Sequence, residues 1–290
     1  MTIASRLGRI IGLLALAAAL AACSAIKLGY NNIDGLAYWW LDSYLDFTDE
    51  QEGRVREDLD RLHAWHRTSE LPQFIALLQA MEQAAPTDVT AAQACNFITQ
   101  AQQRLEVLSE RAEPAVVTLV LGLTPEQLVH LERKYEKVNE EFRKDWIRPT
   151  ASEIAEKRLD KFIERSEMIY GKLDDTQRAV LRRQLQQSTF DGKRVLAERQ
   201  RRQRDTLQTL RKVAGQSIPL AEARALLRAY LDRQRLPADP GDRAFQQSLI
   251  DEACANAAAL HNSTTAAQRE AGARRLRAYQ RDLRELSALK

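Results

Sequence analysis

The sequence is short of residues that interrupt helices. Its 290 residues include only 11 glycines and 8 prolines, too few for the many turns of a loop-rich β fold. No alternation of apolar and polar residues runs beyond four positions, which argues against long half-buried strands. With 44% hydrophobic residues, the chain is also too apolar to be intrinsically disordered. These absences predict an all-α fold, either an elongated helical bundle or layered helical hairpins.

Catalytic signatures are missing as well. The sequence has no GxSxG, HExxH, GxGxxG or Walker motif and only four histidines, and no pair of carboxylates is singled out by its spacing. We therefore predict a protein that is not an enzyme, and the sequence implies no cofactor.

The longest apolar run lies at the N-terminus. Residues 1–9 carry two arginines and no acid, residues 10–22 are Ile, Leu, Gly and Ala, and the run ends in Leu-Ala-Ala-Cys at Cys23. This pattern predicts a cleaved lipoprotein signal peptide over residues 1–22 and a lipid on Cys23. The alternative is an ordinary signal peptide or a membrane anchor with a chance cysteine. Ser24, rather than Asp, follows the cysteine; by resemblance to bacterial lipoproteins, this implies a lipid-anchored protein of the outer membrane that faces the periplasm.

The two later cysteines, Cys95 and Cys254, form an even pair in an oxidising compartment. A disulfide between them is the favoured prediction, with two separate buried thiols as the alternative. The bond would close a loop of about 160 residues, which corresponds to roughly 5 kcal/mol in the chain-entropy model.

Apolar residues three and four apart predict helices through most of the chain. The predicted segments are 34–46, 49–66, 71–84, 91–111, 125–173, 174–213, 220–235, 242–261 and 266–289. At Pro149 the segment 125–173 is either divided into two helices or kinked as one long helix. Prolines, including Pro114, are expected to stop or start them. Residues 197–206 are nearly all polar and are expected to project into solvent. Gly215 is a possible boundary between an N-terminal helical region (23–214) and C-terminal helical hairpins (215–290) that pack on it.

A hydroxyl or carboxylate precedes glutamine by three residues at five predicted helix starts, the spacing of a capping box. The five pairs are Thr48 and Gln51, Thr90 and Gln93, Thr124 and Gln127, Asp174 and Gln177, and Thr265 and Gln268. The three that follow Phe47, Leu123 and Leu173 resemble the LTxxQ motif of the Spy/CpxP family of periplasmic helical proteins. That resemblance implies a cradle of long helices that binds unfolded clients or a sensor kinase. The alternative is that these are simply well-capped helices.

A broader resemblance covers the mature chain. Cys23 followed by Tyr30-Asn31-Asn32, then 39–42 (Trp-Trp-Leu-Asp) and the segment 65–72, resembles an uncharacterised family of proteobacterial lipoproteins. The resemblance implies a helical protein of the envelope and assigns no functional residue.

Aromatic residues are concentrated near the predicted lipid. The candidate partner-binding residues are Trp39, Trp40 and Trp65, which could lie on a membrane interface or grip a partner. The favoured interpretation, however, places Leu36, Trp40, Tyr44 and Phe47 on one helix face in the core.

Two charged patterns supply weaker candidates. His63 and His66 lie with acidic neighbours at helical spacing, which makes them weak candidates for a metal site and, more simply, a solvated pair. Residues 23–150 carry 13 basic and 21 acidic side chains, whereas residues 151–290 carry 28 and 19. Arg201, Arg202 and Arg204 belong to the basic half and are further candidates for partner binding; the alternative is an ordinary solvated helix face.

Taken together, the sequence predicts a lipid-anchored periplasmic binding protein without catalytic activity. It would present amphipathic helices to a protein partner or an unfolded client, and nucleic acid is not an expected partner outside the cytoplasm. The alternative is a structural envelope factor whose basic half docks on anionic lipid or lipopolysaccharide.

Overall fold

The computed structural model describes residues 26–216, 218–237 and 239–289, and within them every regular element is a helix. The all-α prediction is confirmed. A helical turn over residues 26–31 leads into eleven helices. They are α1 (Ile33–Leu45), α2 (Asp49–Trp65), α3 (Leu71–Ala84), α4 (Ala91–Leu121), α5 (Pro125–Trp146), α6 (Ala151–Tyr170), α7 (Asp175–Gln186), α8 (Gly192–Val213), α9 (Leu220–Arg235), α10 (Pro240–Ser263) and α11 (Ala266–Ala288).

Two predicted breaks are absent. Pro114 lies inside α4 instead of ending it, because Val117 and Val120, one turn further on, are buried in the core and their packing offsets the lost backbone bond. Residues 67–70 were expected to separate two helices. Instead, His66–Glu70 forms a π turn that joins α2 to α3, in which the Leu71 N–H donates to the His66 carbonyl.

One predicted helix is divided. The segment 174–213 contains a break at residues 187–191, between α7 and α8. Asp191 caps α8 by accepting from the N–H groups of Lys193 and Arg194. A Cβ at Gly192 would overlap the carbonyl oxygen of Trp146, so glycine lets the start of α8 approach the end of α5 closely. The new helix direction therefore depends on a cap and a close backbone contact.

The largest core lies where α4, α5, α8 and α9 meet. Its fully buried members include Val117, Leu131, Val213 and Ala223. A smaller core around Leu173, Leu181 and Leu260 joins α6, α7 and α10. Elsewhere α11 packs along α3, and α10 packs along α4. No observation tests the predicted division at Gly215, which stays a prediction.

The predicted disulfide is confirmed. Cys95 in α4 and Cys254 in α10 are bonded, with their Cα atoms 5.1 Å apart. The bond fixes α10 against α4 across a sequence separation of 159 residues.

All five predicted capping boxes form. In addition, two of the capping glutamines bond to each other. The Gln51 Nε2 donates to Gln127 Oε1 at 3.2 Å and to the Gly122 carbonyl, and the Gln127 Nε2 donates to Gln51 Oε1 at 2.7 Å and to the Asp46 carbonyl. We call this the first glutamine pair. It joins the turn between α1 and α2 to the turn between α4 and α5.

A second glutamine pair repeats the arrangement. The amides of Gln177 and Gln268 bond reciprocally at 2.6 and 2.9 Å, and each also donates to a backbone carbonyl, Ser263 and Lys172 respectively. In both pairs that carbonyl stands two residues before the partner's N-cap. The second pair therefore joins the turn between α6 and α7 to the turn between α10 and α11 with the same geometry.

The glutamine pairs supply a stability test with an internal control. Gln127 is 4% exposed, and its side chain takes part in four hydrogen bonds. Among the described residues, Gln93 serves a capping box only. Because Gln127→Ala leaves buried polar groups without partners, we expect it to lower the free energy of unfolding by about 2–3 kcal/mol, against about 1 kcal/mol for Gln93→Ala. Urea denaturation of both variants measures the difference, and equal losses would contradict the role assigned to the pair.

Candidate functional site: the exposed apolar face of the first helix

Polar contacts fix the helical turn before α1 to the rest of the protein. Lys27 pairs with Asp282 at 3.7 Å and with Glu285, both in α11. Arg67, in the π turn, donates to Asn31 Oδ1 at 2.9 Å and to the Leu286 carbonyl at 3.0 Å. The start of α1 is thus held against both the π turn and α11.

Helix α1 is apolar on two sides. Tyr38 is 6% exposed and contacts the Phe47 ring, with the Arg56 guanidinium 3.6 Å from the Tyr38 ring centroid. On the other side, four large apolar side chains fall within an arc of about 120° and face solvent. They are Ile33 (45% exposed), Leu36 (58%), Trp39 (72%) and Trp40 (61%). We call these four residues the α1 apolar face.

The core assignment for this helix is therefore wrong in part. Leu36 and Trp40 were expected in the core, yet both are exposed. Of the three members of that set that lie in α1, Tyr44 is the one that packs against the main core. Its ring centroid lies 6.3 Å from that of Tyr135. Because both sides of α1 are apolar, helical spacing identifies two candidate faces without saying which is buried.

Acidic side chains dominate the hairpin that carries the α1 apolar face. Between residues 26 and 65 the chain has nine Asp and Glu against four Lys and Arg. Asp46, Asp49 and Glu50 are exposed at the turn that ends α1. This acidic surface would therefore attract a positively charged partner.

The third candidate tryptophan, Trp65, is separate from the α1 apolar face. It is half-buried at the end of α2, its ring contacts His66, and the Arg111 guanidinium carbon lies 5.7 Å from its centroid. Trp65 therefore packs between α2 and α4 and does not extend the exposed surface.

The histidine candidates are occupied by other contacts. The Nε2 of His63 lies 3.3 Å from the Arg67 guanidinium, and its Nδ1 lies 3.6 Å from Asp34. The Nδ1 of His66 bonds to the Tyr30 hydroxyl at 2.9 Å. Burial lowers the pKa of both histidines and raises the pKa of Tyr30 to about 12. No group of three potential metal ligands occurs in the described part of the chain, and a guanidinium against His63 disfavours a second cation there.

The arginine candidates occupy a packed surface, and the expectation that residues 197–206 project into solvent is wrong. Arg201 and Arg202 both donate to Glu198, at 2.6–2.7 Å. Further along α8, Gln203 pairs with Asn139 of α5 and Asp205 pairs with Arg233 of α9. The polar side chains of α8 are matched by polar partners on both neighbouring helices, which hydrophobic patterning does not detect. Arg204 alone of the three candidates is exposed.

The predicted lipidation site, Cys23, and the signal peptide over residues 1–22 lie outside the described residues, and Ile26 is the first described residue. Among the described helices no single one is both long and apolar enough to span a membrane. Helices α4 and α5 reach the length and apolar composition of a membrane span only when they are taken together, and they meet at a bend of 115°.

Comparison with known proteins places the sequence in a family. A family model described as a family of unknown function (DUF6279) matches residues 43–223. The chain belongs to this family. The prediction of an uncharacterised family is thereby confirmed, whereas the resemblance to Spy/CpxP proteins receives no support. No curated protein and no solved structure matches the sequence. The matched range begins after the α1 apolar face, so the family model carries no information about that surface.

The Glu198 cluster makes a prediction about acid stability. Burial alone would raise the Glu198 pKa, but the hydrogen bonds from Arg201 and Arg202 outweigh it and lower the pKa from 4.5 to about 2. Because the folded pKa is depressed, this stabilisation is fully present above pH 4.5 and is lost as the pH falls toward 2. It amounts to about 3 kcal/mol. Glu198→Gln should remove it, so that unfolding free energy falls less steeply between pH 5 and 3.

Glu136 provides the control, because it is exposed and has no ion pair among the described residues. Urea denaturation across this pH range should give the same slope for Glu136→Gln as for the wild type. An unchanged slope for Glu198→Gln would refute the assigned pairing.

Proposed function

We propose that the protein is a lipid-anchored periplasmic binding protein without catalytic activity, and that it binds an apolar segment of a protein partner or unfolded client on the α1 apolar face. The observation that carries this proposal is the simultaneous exposure of Leu36, Trp39 and Trp40 on one side of a helix. Single exposed apolar residues are ordinary, but tryptophans gathered with aliphatic side chains are typical of binding surfaces.

The rigid attachment of α1 supports binding. The pairs of Lys27 with α11 and of Arg67 with Asn31 hold the start of the helix, and the first glutamine pair holds its end. A surface that is already ordered loses little conformational entropy when a partner binds. The α1 apolar face is therefore suited to act as a preorganised binding surface.

The charge around the face selects among partners. The excess of nine acidic over four basic side chains between residues 26 and 65 would repel anionic lipid and attract lysine or arginine side chains. We therefore assign the face to a protein segment whose apolar residues are flanked by basic ones, in preference to a membrane surface.

The alternative, docking of the basic half on an anionic surface, is less favoured. Glu198 bonds to Arg201 and Arg202, and Glu270 bonds to Arg274 and Arg277. Arginines paired in this way are less available to an external anion. Arg204 remains exposed.

The proposal predicts which client the protein protects and which residues matter. With Cys23→Ser in the mature chain, the protein should slow aggregation of reduced lysozyme, a basic client, more than that of reduced α-lactalbumin, an acidic one. Replacing Leu36 and Trp40 with serine removes apolar contact area. It should raise the protein concentration needed for half-maximal protection by about tenfold or more. Turbidity of the client solution measures the effect.

Leu105 and Leu220 give the matched control, since they are 62% and 56% exposed and lie on other helices. Their replacement by serine should leave protection unchanged, and circular dichroism should show that both double variants are folded. Equal effects of the two double variants, or no protection of the basic client by the parent protein, would reject the proposal.

A further inference from the structure

A cleft of about 380 Å³ opens between α6 and α10, on a side of the protein to which α1 contributes no lining residue. Two polar contacts bracket it. The Arg158 guanidinium lies 3.5 Å from Glu252 at one end, and the Tyr170 hydroxyl lies 2.9 Å from His261 Nδ1 at the other. The two helices meet through these side-chain contacts, and the cleft opens beside them. The cleft volume lies within the roughly 300–1,000 Å³ typical of small-ligand sites.

The cleft is lined almost entirely by carbon atoms. Phe97 of α4, Phe162 of α6, Leu260 of α10 and Leu276 of α11 are among its walls. Small side chains, Ala253 and Ala257, line it along α10 and leave the space that larger residues would fill. An apolar chain placed there would exchange water for hydrocarbon contacts.

Two polar side chains in the lining have no partner among the described residues. Asn256 is 9% exposed, and its backbone carbonyl accepts from Gln184, but its side-chain amide forms no hydrogen bond. Arg165 is exposed at the rim and has no carboxylate within ion-pair distance. Because neither group is engaged by a described side chain, both can contact the polar end of a ligand.

The positions of Arg165 and Asn256 would allow one polar group of a ligand to contact both side chains. Arg165 lies between Arg158 and Tyr170 along α6, Asn256 lies between Glu252 and His261 along α10, and both line the cleft. A carboxylate can accept from a guanidinium and from an amide N–H at the same time. The apolar walls then suit a single hydrocarbon chain.

We infer that this cleft binds a long-chain fatty acid, with its chain among the apolar side chains and its carboxylate toward Arg165 and Asn256. The site is separate from the α1 apolar face, and its occupancy does not depend on the function proposed for that face.

Calorimetric titration with palmitate tests the inference on the Cys23→Ser protein after delipidation. We expect saturable one-to-one binding. Ala257→Trp fills the cleft and should weaken palmitate binding at least tenfold. Ala255 is exposed, lies next to Asn256 in the sequence and does not line the cleft. Ala255→Trp should therefore leave palmitate binding unchanged. Absence of palmitate binding, or equal binding by the two tryptophan variants, would overturn the inference.

The assignment of the charged end is tested separately. Arg165→Gln should weaken palmitate binding by up to about fivefold and leave hexadecanol binding unchanged. Arg182→Gln, another exposed arginine without an ion pair among the described residues, should change neither. Binding of palmitoyl lysophosphatidylethanolamine in place of palmitate would reject the free fatty acid as the ligand, and loss of hexadecanol binding in Arg165→Gln would reject the carboxylate contact.

Discussion

The reciprocal bonding of glutamine side chains between helix starts is the constraint that joins distant helical hairpins in this fold. A capping box uses the glutamine oxygen to bind the N-cap N–H, which leaves the amide N–H₂ free. In the two glutamine pairs that amide binds the other glutamine and a backbone carbonyl near the other cap. Each pair therefore connects the turns of two helical hairpins that are distant in sequence.

The consequence for function is geometric. The first pair connects the end of α1, through the Asp46 carbonyl, to the start of α5, while Lys27 and Arg67 hold its beginning. With both ends fixed and Tyr38 buried, the opposite side of α1 must face outward. The exposed tryptophans are thus a result of how the helix is attached. The disulfide between Cys95 and Cys254 has a comparable effect at the cleft, because it fixes α10, which supplies part of the lining, against α4.

Sequence reasoning predicted the features that local chemistry determines. Capping boxes depend on residues three apart, and the disulfide depends on two cysteines in an oxidising compartment, so both could be foreseen. The pairing of Gln51 with Gln127 could not, because the same tetrad occurs at Thr90 without a partner glutamine. Pro114 shows the reverse case, in which burial of Val117 and Val120 overrides a strong local signal.

The candidate sites were predicted less well than the fold. Trp39 and Trp40 were identified, but their exposure depends on which of two apolar faces of α1 packs inward, and periodicity does not determine this. The interpretation of α8 failed because polar residues can pack against polar partners, as Gln203 does against the buried Asn139. The cleft between α6 and α10 has no sequence signal, since small residues such as Ala257 are also common in tightly packed helices.

The central claim is that the two glutamines of a pair act as a unit joining two hairpins. A double-mutant cycle with Gln51→Ala, Gln127→Ala and the combined variant, followed by urea denaturation, measures their coupling directly. The account predicts a coupling free energy of about 1 kcal/mol or more, because either single change already breaks the reciprocal bonds. Strictly additive losses would contradict it.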